Sequence, residues 1–542
     1  RITVQTSYNP CAEDKEGCMV EIALVWCGIV ALCMSVGWWI DRRWDAAFWW
    51  GFALVCTWLC AAHLFIPITP WLLLPLIPIA GAGWLRRRGA ITGVGIVLLG
   101  VSALVLAGFA TGASQNYDDG LYVNQLMQWY SQYAVVPGLA NVHGRFGFNS
   151  IFVVWATVLD GLPGGASHYA MGGPALVVVG MAALGGWRWL RRQENLSDRV
   201  AALTLIPLAW WLYTLGTLET NAAALIVGLA LIVFAIRTYE TGDRRDLMAM
   251  LTIGALGVVI KLSLIVLVCA LVLAVVWRQR RVIFGLGTSS PYSVRSLGQM
   301  LIVPALLIGV WVAHGFILTG QPLYPLSTVT ADWVDWSVSL TQVINETQSV
   351  QYWARQPGVT YTEAQGLTWV NGWWERMRTN WQIALPGTLL MFSLLLSIDR
   401  RQRRRVDWTI IAAFGVAIAF WWWAAPDPDF GAAALWGLPI VLLAWARRVR
   451  LTLWIGLVAL TLTLAVSVGS ESLQAWEWRA ERHGTMPTFT LDQGRLPGGT
   501  VIWYPVGDDR CGVAPLPCTP YPNDNLIERG KPLQDGFRRQ RR

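Results

Sequence analysis

The chain is 542 residues long, 55% hydrophobic and 14% charged, with 34 tryptophans and a formal net charge of +8. So little charge cannot cover the surface of a soluble globule of this size, so the bulk of the chain must be solvated by lipid. The basic excess lies in short arginine clusters between apolar runs, where anchoring and orientation in a bilayer explain it; nucleic acid is not implied.

Apolar runs follow one another at 20–40, 46–63, 66–84, 90–112, 170–187, 199–216, 218–236, 247–277, 298–317, 383–398, 407–425, 431–446 and 451–469. No cleavable signal peptide is legible before the first. Arginine clusters separate many of them: Arg42 and Arg43, Arg86 to Arg88, Arg188 to Arg192, Arg237 to Arg245, Arg278 to Arg281, Arg400 to Arg405, and Arg447 to Arg450. The positive-inside rule assigns these clusters to the cytoplasmic side.

The run 247–277 breaks the alternation, because its 31 residues lead from one arginine cluster to another. One full crossing takes about 20 residues, so this run predicts a short hairpin turning near Lys261. Counted twice, it brings the total to about 14 membrane segments with both termini outside. The expected architecture is an all-α polytopic membrane protein. An exterior segment 1–19 precedes a membrane domain 20–469, and a Gly- and Pro-rich exterior tail or cap, 470–542, follows it.

The same orientation collects five features on the non-cytoplasmic side: the loop 113–150, the turn TLETN from Thr217 to Asn221, the turn at Lys261, the insert 319–381, and APDPDF from Ala425 to Phe430. Each alone reads as a wet turn; their shared side suggests the lining of one cavity. Cys11 with Cys18, and Cys511 with Cys518, are exterior pairs suited to disulfides in an oxidising compartment. Cys27, Cys33, Cys56, Cys60 and Cys269 fall in apolar runs and read as packing residues. His63, His168, His314 and His483 belong to no motif. Most tryptophans lie near the ends of apolar runs, where an interfacial belt accounts for them. Trp129, Trp333, Trp336, Trp373 and Trp374 are read as exterior, and suit either sugar stacking or packing of the loops.

Three groups of residues carry chemistry. Asp118 and Asp119 follow an apolar run on the exterior side, where a partly buried carboxylate can act as a general base, bind a cation or orient a sugar hydroxyl. Adjacent carboxylates cannot both point into one site unless a helix ends between them, and Asp118 is preferred as the catalytic one. His143 and Arg145 lie in NVHGRFGFN, where glycines allow tight turns beside groups that bind anions; the alternative is a turn tied down by Phe146 and Phe148. Lys261, flanked by GVVI and LSLI, is costly in hydrocarbon unless it snorkels or meets an anion, which points to a phosphate or carboxylate partner.

The stretches DGLYVNQLMQWYSQYAVVPGLANVHGRFGFNS, ILTGQPLYPLS and APDPDFG, with the tail GDDRCGVAPLPCTPYPNDN and LQDGF, resemble an uncharacterised family of bacterial polytopic membrane proteins. That family in turn resembles the GT-C glycosyltransferases, which take sugars from polyprenyl-phosphate carriers. The resemblance implies a GT-C-like helical bundle in the bacterial inner membrane, with its site facing the periplasm or exterior. It also implies an acidic base or metal-linked ligand in the first exterior loop, at Asp118 or Asp119. A second acidic motif would fall at Gly216 to Asn221, with Glu219 as a substrate-binding residue, although the usual proline is missing. APDPDF departs too, since an arginine is common where Asp429 stands.

The implied reaction is inverting transfer of a sugar from a polyprenyl phosphate to an envelope acceptor. Lys261 and Arg145 would hold the phosphate and Asp118 or Asp119 would act as base, with a divalent cation optional. Two alternatives stay open: a catalytically inactive GT-C-like accessory or assembly subunit of a membrane protein complex, and a transporter or lipid flippase. Partners are membrane lipid, a lipid-linked sugar or a membrane complex, and not nucleic acid.

Overall fold

The computed structural model describes residues 2–5, 15–87, 93–112, 114, 116–163, 165–283, 294–330, 332–396, 407–446, 456, 488–521 and 523–540. Seven helices among these are long and apolar enough to cross a bilayer: Glu16–Gly37, Trp44–His63, Ala166–Leu190, Thr220–Thr241, Leu262–Arg281, Gly298–Thr319 and Pro428–Trp445. A bent pair, Trp369–Met377 with Trp381–Leu396, turns by 83° and makes up to eight.

Other expected runs form shorter or interrupted helices, because an apolar run is not yet a continuous helix. Run 66–84 is punctuated by prolines and divides into a short turn, Pro70–Leu73, and the eleven-residue helix Leu76–Arg86. Run 199–216 breaks into Leu196–Leu203, Leu205–Trp210 and Leu212–Gly216, with Pro207 in the second piece. Runs 90–112 and 407–425 give helices of 15 and 17 residues, Gly93–Ala107 and Trp408–Ala424. Run 451–469 lies outside the described residues apart from residue 456.

Run 247–277 folds back on itself around Lys261. Arg244–Ile260 ends there, Lys261 is extended, and Ile265–Ile283 returns. The fold-back is recorded at two glycines: a Cβ on Gly257 would lie 3.1 Å from Leu264, and one on Gly254 would lie 2.8 Å from Val268.

Helix Thr220–Thr241 runs through the centre and is buried almost all round. Helices Lys15–Gly37 and Trp44–His63 form a hairpin so close that a Cβ at Gly51 would overlap the carbonyl oxygen of Cys33 at 1.7 Å, so glycine there sets the backbone approach. Ion pairs gather at one end of the bundle: Arg43 with Asp41 at 2.7 Å and with Asp246, Arg237 with Asp45 at 2.8 Å, and Arg188 with Asp198 at 2.9 Å. These arginines come from clusters assigned above to the cytoplasmic side, and they define the arginine face.

The opposite, loop face carries a small β structure. Strand β1 (Ile2–Gln5) pairs antiparallel with β2 (Thr488–Arg495), which pairs with β3 (Val501–Val506). A second sheet pairs β4 (Leu526–Glu528) with β5 (Phe537–Arg539). Cys511 and Cys518 form a disulfide within this cap. Cys18 is also disulfide-bonded, whereas Cys11, its expected partner, lies outside the described residues. Because β1 and β2 share one sheet, the chain between them must cross the bilayer an even number of times.

Candidate functional site

The loop after Gly93–Ala107 is helical from Tyr117, passes through a π-helical turn, Asp119–Val123, and continues as Asn124–Gln132. The adjacent aspartates part company at that turn. Asp119 faces inward, is buried, and accepts hydrogen bonds from the Ser114 hydroxyl and, at 3.0 Å, from the backbone N–H of Leu218. Its other oxygen is buried without a partner, and burial pushes its carboxyl up to about 7, against the pull of those two bonds. Asp118 faces outward, its side chain 41% exposed, and pairs with Arg145 at 2.9 Å. Asp119 therefore ties the loop to the Leu218 turn, and Asp118 is the accessible carboxylate.

His143 caps the short turn Gly144–Phe148, its Nδ1 accepting the Arg145 N–H at 3.1 Å. The ring is buried among Tyr122, Phe146 and Tyr521. Burial, and then the charge of Arg145, press its pKa down to about 3, so at neutral pH it is a neutral packing and capping residue rather than a cationic anion ligand. Arg145 lies 5.8 Å from the Tyr122 ring centroid, with the charge of Glu346 also in reach. Glu346 approaches so closely that a Cβ on Gly144 would stand 2.4 Å from its Oε2.

At the helix break, the Lys261 ammonium lies 4.6 Å from the Phe430 ring centroid and within electrostatic reach of Asp118, Asp429, Glu219 and Asp427. Glu219 sits just before Thr220–Thr241 and accepts from Asn221 at 3.4 Å. Burial, and then Asp429, push its carboxyl up to about 8. Asp427 caps Pro428–Trp445 by accepting the Asp429 N–H at 3.0 Å, and Gln382 donates to Asp429. Behind Lys261 an apolar cavity runs between helices, lined by Ser263, Leu267, Ala417, Trp421 and Phe430 among others.

The structure thus gathers Asp118, Arg145, Glu219 and Lys261 at one place, backs them with Asp119, and sets His143 into the wall. Sequence reasoning placed APDPDF on this side but did not assign Asp427 or Asp429 to the site; the charges flanking a proline turn were the available signal. Glu346 had none, since nothing in a polar insert marks which of its residues folds back, and Gln382, in the first turn of Trp381–Leu396, had none either.

The cap and the insert close over this loop. Tyr117 donates to Asp509, Gly512 N–H donates to the Gly120 carbonyl at 2.8 Å, and Gln125 donates to the Ala514 carbonyl at 2.7 Å. Asn141 donates to the Trp336 carbonyl at 2.9 Å, and Arg529 of the cap pairs with Asp335 of the insert at 3.0 Å. Among the described residues, no three His, Cys, Asp or Glu side chains are gathered closely enough to hold a metal ion.

Long apolar helices, a polar face of ion-paired arginines and a capped charged site at the other end define a multi-pass membrane protein. The chain belongs to the family described as "Domain of unknown function (DUF8201)", whose model matches residues 19–436. No curated protein and no solved structure matches the chain.

Proposed function

We propose that this protein is an inverting glycosyltransferase that moves a sugar from a polyprenyl-phosphate carrier to an envelope acceptor, at the exterior face of a bacterial inner membrane. The observation that carries the reading is Asp118: an accessible carboxylate held by Arg145 and within electrostatic reach of Lys261. The assignment to sugars rests on the resemblance described above.

In this reading an acceptor hydroxyl gives its proton to Asp118 while its oxygen bonds to the anomeric carbon. The bond from that carbon to the phosphate oxygen breaks, its electron pair leaves with the polyprenyl phosphate, and the anomeric centre inverts. Lys261 stabilises the departing phosphate. Arg145 is already engaged by Asp118, so it positions the base rather than binding the donor. Burial keeps Glu219 protonated near neutrality, which leaves Lys261 charge to offer an incoming anion. No step is routed through a metal.

The test incubates purified full-length protein with a panel of polyprenyl-phosphate sugars and extracted envelope acceptors. Donor consumption that needs Asp118 supports the proposal. A second reading, an inactive accessory subunit of a membrane complex, is favoured by the closed cap and by the pairing of Asp118 with Arg145. No donor consumption, together with stable co-purification of another membrane protein, would replace the first reading with the second.

A further inference from the structure

Below the opening loop, two buried histidines form a chain of hydrogen-bond contacts. His63 Nε2 lies 3.2 Å from the Tyr133 carbonyl oxygen, His63 Nδ1 lies 2.8 Å from His314 Nε2, and His314 Nδ1 lies 2.7 Å from Asn149 Oδ1. Both rings are fully buried. Each end of the chain is a carbonyl oxygen, which can only accept.

A proton count follows. Two neutral imidazoles carry two N–H groups, but the three contacts each need one. Any neutral arrangement leaves a lone pair facing a lone pair across one contact. Turning the Asn149 amide does not relieve this, because its Nδ2 donates to the Trp311 carbonyl at 2.7 Å and a turned amide would bring two oxygens together there. Three protons satisfy all three contacts, with the third shared between the rings.

Burial opposes such a charge. Three features oppose its loss: the two carbonyl dipoles at the ends of the chain, the spread of charge over two rings, and Tyr130, whose ring centroid stands 4.4 Å from His63 and 5.4 Å from His314. No carboxylate is among the described residues that bond to or stack on either ring. Among the described residues, Tyr130, from the helix Asn124–Gln132, is the titratable group stacked on both rings, and Cys60, one turn before His63, lies beside Tyr130.

We infer that His63 and His314 form a buried proton-binding site that holds one shared proton at neutral pH. Its position gives it a role. Tyr133 and Asn149 bracket the segment bearing His143 and Arg145, so the bound proton fastens both ends of that segment to the helices Trp44–His63 and Val294–Thr319. This inference does not rest on glycosyl transfer.

Nitrogen NMR on the full-length protein in lipid nanodiscs, with ¹⁵N-labelled histidine, tests it. At a pH of about 7.5, above the ordinary histidine value of about 6.5, three of the four ring nitrogens of the pair should carry protons, with scalar coupling across the His63–His314 contact. His63→Gln and His314→Gln should each remove that signature. If either variant fails to fold, the inter-ring coupling in the unaltered protein identifies the pair without it. Two neutral rings, each with a bare nitrogen, or absence of the coupling, would overturn the inference.

Discussion

Asp118 and Arg145 are joined carboxylate to guanidinium at 2.9 Å across 27 residues of sequence, while Asp119, one residue from Asp118, points the other way to hold the backbone of Leu218. One position in the chain thus decides between an accessible base and a buried tie. Substitutions at the two sites should have different consequences.

Asp118→Asn preserves shape but removes the proton-accepting charge. Transfer should fall by about 10²–10⁴-fold, the usual range for loss of a general base, with the folded protein recovered in normal yield. Asp119→Asn should keep most activity, since an amide oxygen still accepts from Ser114 and Leu218. Donor-consumption rates on both purified variants would check this, and equal losses would reject the division of roles.

Asp119 also gives a pH dependence with a definite sign. Its folded-state pKa, raised to about 7 by burial, exceeds its unfolded value of about 3.9. The folded form therefore keeps a proton that the unfolded form releases. The stabilisation is fully present below about pH 4 and is lost as pH rises through about 7, a difference on the order of a few kcal/mol. Thermal melts of the unaltered protein should move to lower temperature between about pH 5 and 8, and Asp119→Asn should flatten that slope. A variant whose slope is unchanged would show that other carboxyls, such as Glu346 or Asp427, carry it.

Lys261→Met keeps the length of the side chain and removes its charge from the helix break. Donor affinity and turnover should both decrease, turnover by about 10²–10³-fold, the range for loss of one donor to a developing oxyanion. Lys261→Arg should recover part of the loss. Titration of a polyprenyl phosphate against each variant separates binding from chemistry.

Breaking the disulfide by Cys511→Ser should cost about 2–3 kcal/mol of cap stability. Gly512 and Ala514, which bond Gly120 and Gln125 of the opening loop, lie inside the loop it closes. Limited proteolysis should then cut within 507–521 while the membrane helices stay intact, and an unchanged cleavage pattern would show that the cap is held without it.

The long helices were legible because a crossing demands a continuous apolar run: Glu16–Gly37, Trp44–His63 and Thr220–Thr241 lie close to their expected bounds. Lys261 was legible as a break because a lone charge in such a run has few places to be. The fragmentation of 66–84 and 199–216 was not, since mean hydropathy is blind to a proline that ends a helix inside it. The opposed directions of Asp118 and Asp119 were equally hidden. Successive side chains on a helix differ by about 100° in direction, so which one faces inward is decided by a partner 99 residues away, the backbone of Leu218.

The pairing of β1 with β2 also sets an order of biogenesis. Ile2–Gln5 leaves the ribosome well before its partner Thr488–Arg495, which is translated more than 480 residues later. The early strand must wait, unpaired, through the insertion of every described transmembrane helix between them. The groups that hold the loop on either side of Asp118, Asp509 at Tyr117 and Gly512 at Gly120, arrive later still. A nascent chain stalled before residue 488 would therefore present an assembled bundle whose opening loop lacks its cap contacts, and release of β2 to β5 is the step that supplies them.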